Sequence, residues 1–291
     1  MQQGKLNNEY YNITVNSHGA ELQSIYSNKD NIELLWQADK SFWPRHAPIL
    51  FPIVGRLRND TMFHQGKSYK MTQHGFARDK AFELYSHSEE ILQFRLQSNE
   101  TTLGSFPFDF ELLIDYALLG ATLRTVYTIR NSTDKDLPAS IGGHPAFNWP
   151  LNPSISKDAH FIEFDREETH PIRQLKDGLI RHETLSSPVI NKKLALSDEL
   201  FLHDALIFDQ INSQKVYYRA GDKQSLCVSF EDFPNFGIWT KPGAGFVCLE
   251  PWYGFSDSTE GENEFVDKPG ILTIPSYSEI SLSFDIIYNT I

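Results

Sequence analysis

Cysteine and long apolar runs are scarce in this sequence. Its 291 residues include only two cysteines, Cys227 and Cys248, and no stretch reaches the roughly 18 apolar residues that a membrane-spanning helix needs. The opening residues 1–5 begin no apolar signal segment. We therefore expect no disulfide framework, no membrane as partner, and a location in the reducing cytoplasm.

Positive charge is also in short supply. The chain has 26 Lys and Arg against 38 Asp and Glu, a formal net charge of −12. Clustered basic residues bind nucleic acids and anionic membranes, so this composition argues against both as main partners. The sequence also lacks G-x-S-x-G, G-x-G-x-x-G and P-loop patterns, so serine-nucleophile, dinucleotide and ATP chemistry are unsupported.

Apolar residues are plentiful, and their spacing favours β-strands. The chain is 40% hydrophobic and 13% aromatic, which is enough apolar area for a large core. In residues 92–97 and 281–286 every second residue is apolar, the pattern of strands with one buried and one solvated face. Helical periodicity is scarce. These patterns predict an all-β protein built from antiparallel sheets.

The clearest local prediction is a hairpin over residues 110–130. Gly120 interrupts two alternating runs, and residues 131–136 supply a polar turn after them. The first run places four apolar side chains on one face: Phe110, Leu112, Ile114 and Tyr116. The best helix candidate is short, with Ser197 as its N-cap and Glu199 in its first turn. Many short strands separated by turns predict a sandwich or barrel with few short helices.

The composition does not shift sharply along the chain. The polar segment 165–198 is the only linker candidate, and we interpret it as a long excursion because it carries too few strand signals for a second core. Residues 1–291 are therefore expected to form a single domain, since β-rich units often exceed 200 residues. The sequence does not predict an oligomeric state.

Three separated segments carry the candidate chemistry: residues 73–78, 142–147 and 249–253. His74 and His144 each adjoin glycine, which lets the backbone bend or approach a ligand closely. Glu250 follows the apolar run 245–249, so we place it at or near the end of a buried strand, where burial would strengthen it as a base. An acid and a base among aromatic side chains suit proton transfer on a sugar ring, facing each other across it. Structural histidines and a paired glutamate remain the alternatives.

Further binding candidates flank these segments. Arg56 ends the apolar run 51–57, which reads as a strand, and Arg78 lies four residues after His74. Arginine side chains suit hydroxyls, carboxylates or phosphate, although a surface salt bridge is the simpler interpretation of either one alone. Asp204 could bind a sugar hydroxyl or cap a turn. Trp252 is the best aromatic candidate for stacking on a sugar because it lies close to Glu250.

Other functions compete with sugar proton transfer. Two histidines and one glutamate could bind a metal, but no short ligand spacing supports this, so no metal or cofactor is expected. Glycoside hydrolysis normally needs two carboxylates, and Asp204 would have to join Glu250. A sugar-binding or regulatory protein without turnover is a further alternative.

Together these segments resemble the aldose 1-epimerase (galactose mutarotase) superfamily, and most closely its LacX-type branch. The similarity extends over nearly the whole chain and rests on ordered segments: 35–37, 45–57, 74–78, 143–147, 204–208, 250–254 and 268–271. The resemblance implies the galactose mutarotase-like supersandwich, a large antiparallel β-sandwich with a sugar cleft. The implied activity is the interconversion of α and β anomers of an aldohexose.

The resemblance also implies roles for individual residues. His144 matches the general acid that protonates the ring oxygen, and Glu250 matches the base that takes the anomeric hydroxyl proton. His74, Arg56 and Asp204 match positions that bind or orient the sugar. The continuation Phe76-Ala77-Arg78 is similar to that of hexose-6-phosphate epimerases, in which two arginines grip a phosphate, so Arg56 and Arg78 are candidates for such a clamp.

Overall fold

The computed structural model describes residues 2–221, 224–261 and 264–290. Within them, β-strands account for almost all of the regular structure. In chain order the strands are β1 (Gln3–Asn7), β2 (Tyr11–Asn16), β3 (Glu21–Ser27), β4 (Ile32–Glu33), β5 (Ile49–Leu50), β6 (Thr61–His64), β7 (Lys67–Lys70), β8 (Glu83–His87), β9 (Ile91–Gln97), β10 (Glu111–Leu119), β11 (Thr122–Asn131), β12 (Leu137–Ala139), β13 (Ile141–Gly143), β14 (Ala146–Asn148), β15 (His160–Phe164), β16 (Ile172–Lys176), β17 (Leu179–Leu185), β18 (Lys193–Ala195), β19 (Leu206–Phe208), β20 (Lys215–Ala220), β21 (Gln224–Ser229), β22 (Asn235–Trp239), β23 (Phe246–Tyr253), β24 (Leu272–Ile274) and β25 (Ser278–Thr290).

Two large antiparallel sheets dominate the fold. One has nine strands in the order β18-β15-β20-β21-β25-β11-β10-β9-β8. The other has eight, with the path β17-β16-β19-β22-β23-β13-β5 and β14 paired to β23. A four-stranded sheet, β1 to β4, and two two-stranded sheets, β6-β7 and β12-β24, complete the topology.

The two large sheets pack face to face around the main core. Aromatic pairs join them: Phe164 of β15 meets Phe208 of β19 with ring centroids 5.4 Å apart, and Phe230 stacks on Phe236 at 4.3 Å. These rings are buried, and burial of a phenyl side chain is worth about 1.5–3 kcal/mol. The prediction of an all-β antiparallel sandwich is confirmed.

Several strands lie where the alternation of apolar and polar residues predicts them. β10 and β11 form the predicted hairpin, with Leu119 opposite Thr122 across the turn at Gly120. The alternating face of its first strand is buried, from Phe110 to Tyr116. The runs at 92–97 and 281–286 lie within β9 and β25. Alternation succeeds here because each strand buries only one of its faces in the core.

Other local predictions need correction. Residues 51–57 form no strand, since β5 ends at Leu50 and the chain turns to bring Phe51 beside Gly75. The excursion 165–198 contains β16, β17 and β18, which join both large sheets. Its polar residues occupy exposed positions of short strands at or next to the sheet edges, so they concealed the strand pattern.

Helices are few and short. The described residues include one α-helix, α1 (Glu100–Leu103), which Asn99 caps through a capping box. Single 3₁₀ turns occur at Arg58–Asp60, Ala77–Asp79, Lys157–Ala159, Asp198–Phe201 and Phe265–Asp267. Ser197 does stand at the N-cap of its turn, but its side chain makes no capping hydrogen bond. No helix in the described part of the chain is long and apolar enough to span a membrane.

Gly75 fixes the loop that carries His74. Its backbone has φ +70°, and a Cβ there would lie 2.2 Å from the carbonyl oxygen of Phe51. The same oxygen accepts a hydrogen bond of 3.0 Å from the N–H of Phe76. Only glycine permits both the left-handed backbone and this close approach.

Gly75→Ala should therefore lower the free energy of unfolding by about 2–5 kcal/mol, since backbone strain and a steric clash act together. Gly66→Ala is the matched control: its φ is +71°, yet a Cβ would meet nothing within 4 Å. We expect only about 1–2 kcal/mol there. Urea-induced unfolding measures both, and equal losses would show that the clash contributes nothing.

Candidate active site

A cavity of about 320 Å³ lies on the outer side of the eight-stranded sheet. Strand β23 supplies Glu250 and Trp252 to its lining, and β22 supplies Trp239. On β23 the alternate residues Val247 and Leu249 point into the main core, so Glu250 and Trp252 point the other way. The sheet therefore fixes the positions of Glu250, Trp252 and Trp239 along one side of the cavity.

Glu250 lies inside β23, whereas the sequence placed it at or near the end of a strand. The strand continues to Tyr253, with Gly237 of β22 opposite Glu250. Its side chain is only 1% exposed, and neither carboxylate oxygen accepts a hydrogen bond from the described residues. Loss of hydration, and then the negative charge of Asp204, raise the pKa of Glu250 well above its ordinary value.

His144 lies in the link between β13 and β14, where its N–H donates to the carbonyl oxygen of Pro48 at 3.1 Å. Its ring stacks on Trp43 with centroids 4.9 Å apart, and Trp239 meets its edge at 5.7 Å. Burial, and then the positive charge of Arg78, lower the pKa of His144 well below its ordinary value. The imidazole is therefore neutral near pH 7.

The acid and base candidates lie side by side. His144 Nε2 is 3.2 Å from Glu250 Oε2, so the two do not face each other across a space the width of a ring. The opposite pKa shifts favour the neutral forms of both groups, and at this distance they titrate as one unit. The neutral carboxyl and the neutral imidazole thus lie 3.2 Å apart, although the contact does not have the geometry of a hydrogen bond.

His74 lines the same cavity from its loop. Its backbone is left-handed, with φ +65°, and its Nδ1 accepts a hydrogen bond of 3.1 Å from the N–H of Gly55. Burial lowers the pKa of His74 well below its usual value, so the ring is neutral and its proton resides on Nε2. Nε2 lies 3.4 Å from the side-chain amide of Gln73. A neutral hydrogen-bond donor is thus available beside His144.

Arg78 and Asp204 bring opposite charges to the cavity. Arg78 donates to the carbonyl oxygen of Gln73 at 2.7 Å, while its buried Nε has no hydrogen-bond partner among the described residues. Burial lowers the pKa of Arg78 to about 10, so it stays protonated at neutral pH. Asp204 has φ +79° and accepts from the N–H of Ala205 at 2.8 Å, as a turn-capping residue does.

Arg56 does not line the cavity. Its Nε lies 2.8 Å from Asp60 Oδ1, and another guanidinium nitrogen donates to the carbonyl oxygen of Asp177 at 3.0 Å. This is the surface salt bridge that the sequence left open. The structure therefore brings Arg78 but not Arg56 to the site.

Trp252 depends on two glycines for its place in the cavity wall. A Cβ at Gly237 would lie 2.6 Å from its ring, and one at Gly142 would lie equally close, at 2.6 Å. The indole is 4% exposed and lines the cavity with Trp43 and Trp239. Three indoles around one polar cavity provide flat surfaces of the type on which sugar rings stack.

Two of the cavity's indoles, Trp43 and Trp239, were not among the residues that the sequence predicted for the site. Trp43 lies in a polar, irregular segment, 39–45, that pairs with no sheet. The available signal is the aromatic pair Phe42-Trp43 in an otherwise polar segment, because large aromatic side chains there need an apolar partner to pack against. Further residues also line the cavity and gave no chemical signal of their own: Ser256 and Gly55, together with the apolar Leu175, Ala205 and Ile207.

Among the described residues, one group of side chains could hold a metal ion. Ligand atoms of His144, Glu250 and Cys248 all lie within 4.8 Å of one another, and all three residues are buried. His74 is not part of this group. The cysteine thus takes the place that a second histidine had in the metal alternative considered from sequence.

A second cavity of about 450 Å³ adjoins the first, with Ser256 in the lining of both. It is larger, but its charged groups already have partners: Arg173 lies 2.8 Å from Asp209, and Lys268 lies 3.5 Å from Asp257. The smaller cavity holds the acid and base candidates and is the candidate active site.

Comparisons with known proteins agree with the sequence resemblance. A sequence profile of the family described as aldose 1-epimerase matches residues 2–270. Protein LacX of Lactococcus lactis subsp. lactis, in its chromosomal form, is 36% identical over 293 residues, covering 97% of this chain and 98% of LacX. The plasmid form matches equally well. The predicted relationship to the LacX-type branch is confirmed.

Solved structures share the fold. A galactose mutarotase related enzyme from Lactobacillus acidophilus has a TM-score of 0.93 and 33% identity, covering 99% of this chain and 98% of that one. A galactose mutarotase-like protein from Lactobacillus casei has a TM-score of 0.92 and 29% identity, covering 99% and 100%. The galactose mutarotase-like sandwich predicted from the resemblance is confirmed.

The stacking of Trp43 on His144 yields a prediction. In Trp43→Ala, water should reach the imidazole, so the pKa of His144 should rise toward its ordinary value of about 6.5. Trp43→Phe keeps a ring over the imidazole and should leave that pKa close to the wild-type value. Titration of the His144 ring protons by NMR measures the difference, and an unchanged pKa in Trp43→Ala would show that the indole does not desolvate the histidine.

Proposed function

The chain belongs to the aldose 1-epimerase family, and from this premise and the cavity geometry we propose that it is a mutarotase that interconverts the α and β anomers of an aldohexose. The family supports an isomerase role acting on carbohydrates. The observation that carries the finer proposal is the buried contact of 3.2 Å between His144 Nε2 and Glu250 Oε2.

Anomerisation needs an acid and a base close together. Ring opening removes a proton from the C1 hydroxyl and delivers one to the ring oxygen, and both oxygens are bonded to C1. Side-by-side groups can therefore serve both atoms, and the separation of His144 and Glu250 suits this geometry. The reaction involves no redox change and no group transfer.

Transfer of the carboxyl proton of Glu250 to His144 accounts for both the base and the acid. Moving this proton from Glu250 to His144 along their contact creates a strong base and a strong acid in one step. Glu250 then takes the C1 hydroxyl proton while His144 protonates the ring oxygen. Rotation about the C1–C2 bond presents the other carbonyl face, and the same groups act in reverse to close the ring. Positioned acid–base catalysis of this type contributes roughly 10²–10⁴-fold.

The remaining cavity residues are proposed to hold the sugar. His74 offers an Nε2–H donor, Arg78 a cationic donor and Asp204 an acceptor, which together match the alternating donors and acceptors of sugar hydroxyls. The indoles of Trp43 and Trp252 provide apolar surface for the ring faces. A cavity of about 320 Å³ is at the small end of the range for ligand pockets, which suits a monosaccharide.

Glu250→Gln should reduce anomerisation by roughly 10²–10⁴-fold while sugar binding is largely kept, because the amide retains the shape but cannot accept the proton. Exchange NMR or polarimetry with free aldohexoses measures the rate, and ligand-detected NMR measures binding. Glu168→Gln is the control: Glu168 is also buried, at 2% exposed, but lies outside the cavity lining.

An undiminished rate in Glu250→Gln would remove Glu250 from the mechanism. A wild-type protein that binds aldohexoses without speeding their anomerisation would instead be a sugar-binding or regulatory protein. Release of reducing ends from oligosaccharides would indicate glycoside hydrolysis with Asp204 as the second carboxylate.

Hexose-6-phosphate epimerisation is the second candidate, and Arg78 favours it. This side chain is 18% exposed and carries its charge into the cavity, where its buried Nε makes no hydrogen bond in the described part of the chain and meets only the carboxylate of Asp79, at 3.8 Å. Such a guanidinium is suited to a phosphate oxygen. The pairing of Arg56 with Asp60 leaves a single arginine for this role, so the two-arginine clamp requires Arg56 to leave its carboxylate.

Arg78→Ala should weaken the binding of 6-phosphorylated aldohexoses by about 10- to 100-fold, the worth of a charge-assisted hydrogen bond, and of free sugars far less. Arg56→Ala is the matched control and should affect neither substrate, because Arg56 pairs with Asp60 outside the cavity. KM values for free and phosphorylated sugars give the comparison. Equal losses for both substrates in Arg78→Ala would reject a phosphate site.

A further inference from the structure

Cys248 lies directly beneath the acid–base pair. It is two residues before Glu250 on β23, so both side chains project from the same face of the strand. The thiol is fully buried among aromatic side chains, including Trp43 and Trp239, and lies outside the cavity lining. It is a free cysteine for which the proposed anomerisation has no use.

The side chains form a mixed set of nitrogen, sulfur and oxygen donors. One ligand atom from each of His144, Cys248 and Glu250 lies within 4.8 Å of the other two, and His144 Nε2 is already 3.2 Å from Glu250 Oε2. Both oxygens of Glu250 lack hydrogen-bond donors among the described residues, so they are free to bind a cation. Imidazole, thiolate and carboxylate are the ligand types that bind zinc in proteins.

We propose that His144, Cys248 and Glu250 form a binding site for Zn²⁺ and chemically similar divalent cations such as Co²⁺. The fourth coordination position of the bound ion would face the cavity. Zinc bonds of about 2.0–2.3 Å keep tetrahedral ligand atoms less than about 4 Å apart, so the group must contract by roughly 1 Å. Cys248 and Glu250 stand on β23 and His144 on the link between β13 and β14, which both pair with β23, so the contraction has to come from rotation of the three side chains. Mg²⁺ is excluded by its preference for oxygen ligands.

Binding of the cation releases protons from its ligands. The thiol of Cys248 loses its proton as the sulfur–metal bond forms, and the carboxyl proton of Glu250 also leaves to solvent. No oxidation or reduction takes place. The bound ion then occupies both proton-transferring atoms, so it inhibits anomerisation. This inhibition rests on the proposed function, whereas the binding itself does not.

Cobalt(II) titration tests the site without relying on activity. Co²⁺ bound to the wild-type protein should produce the near-ultraviolet charge-transfer absorption of a cobalt–thiolate bond, and Zn²⁺ should abolish it by competition. Cys248→Ser should lose this absorption and bind Zn²⁺ at least 10- to 100-fold more weakly. Loss of a residue that only supports a metal ligand already weakens binding by that factor.

Cys227→Ser is the matched control. Cys227 is the other free, buried cysteine, but it lies in β21 of the nine-stranded sheet, outside the metal-ligating group found among the described residues. This variant should keep the wild-type absorption and affinity. Rates with and without Zn²⁺ are compared within each variant, so a change in the basal rate does not affect the result.

Two outcomes would overturn the site: Co²⁺ binding without thiolate absorption, or wild-type Zn²⁺ affinity in Cys248→Ser. If Cys248→Ser fails to fold, as judged by circular dichroism, Glu250→Gln provides the second test and should weaken Zn²⁺ binding at least 10-fold. Metal binding in a protein that does not speed anomerisation would reject the proposed function but retain the site. Catalysis without metal binding would reject the metal site but retain the proposed function.

Discussion

The site depends on keeping water away from Glu250 and His144. A strand at the centre of a sheet normally buries one face, but β23 is buried on both, because a segment carrying Trp36, Phe42 and Trp43 covers its outer side. Under this cover the carboxyl and the imidazole lose their hydration, and both are driven toward their neutral forms. Their contact of 3.2 Å therefore joins two neutral groups, whereas exposed groups at this distance would form a screened ion pair of little value.

Close packing around this pair requires an unusual backbone. His74 and Asp204 both lie in the left-handed region, where a residue other than glycine costs about 1–3 kcal/mol. Two hydrogen bonds to Gly55 maintain this strain at His74. The carbonyl oxygen of Gly55 accepts from the backbone N–H of His74, and the N–H of Gly55 donates to Nδ1 of the His74 ring. Left-handed residues such as Ala20 and Tyr277 also occur away from the cavity, so the strain alone does not mark the site. At His74 and Asp204, however, it sets the direction of side chains that line the cavity. The large two-sheet core supplies the stability that offsets it.

Sequence predicted the fold well where one face of a strand packs into the main core, and poorly where burial is continuous along the strand. Strand β10 belongs to the first kind even though Leu113 and Ala117 on its other face are also buried. The hairpin of β10 and β11 alternates and was located within one or two residues. In β23 the continuous burial hides the alternation, so Glu250 was placed too close to the end of its strand. Arg56 and Arg78 are alike in sequence, and only tertiary structure separates them: one meets Asp60, the other the cavity. Trp43 was missed because its partner, His144, is about a hundred residues away in the chain.

The charges beside the pair reinforce the effect of burial. Arg78 disfavours a second positive charge and so lowers the pKa of His144, while Asp204 disfavours a second negative charge and so raises the pKa of Glu250. Since these two neighbours carry opposite unit charges and the pair is neutral, the four groups together are close to neutral, which suits an uncharged sugar. A phosphate dianion would add negative charge to this balance and would need Arg78 to be closer to the substrate than Asp204. The position of the substrate's charge relative to these two side chains therefore decides between a free sugar and a phosphosugar.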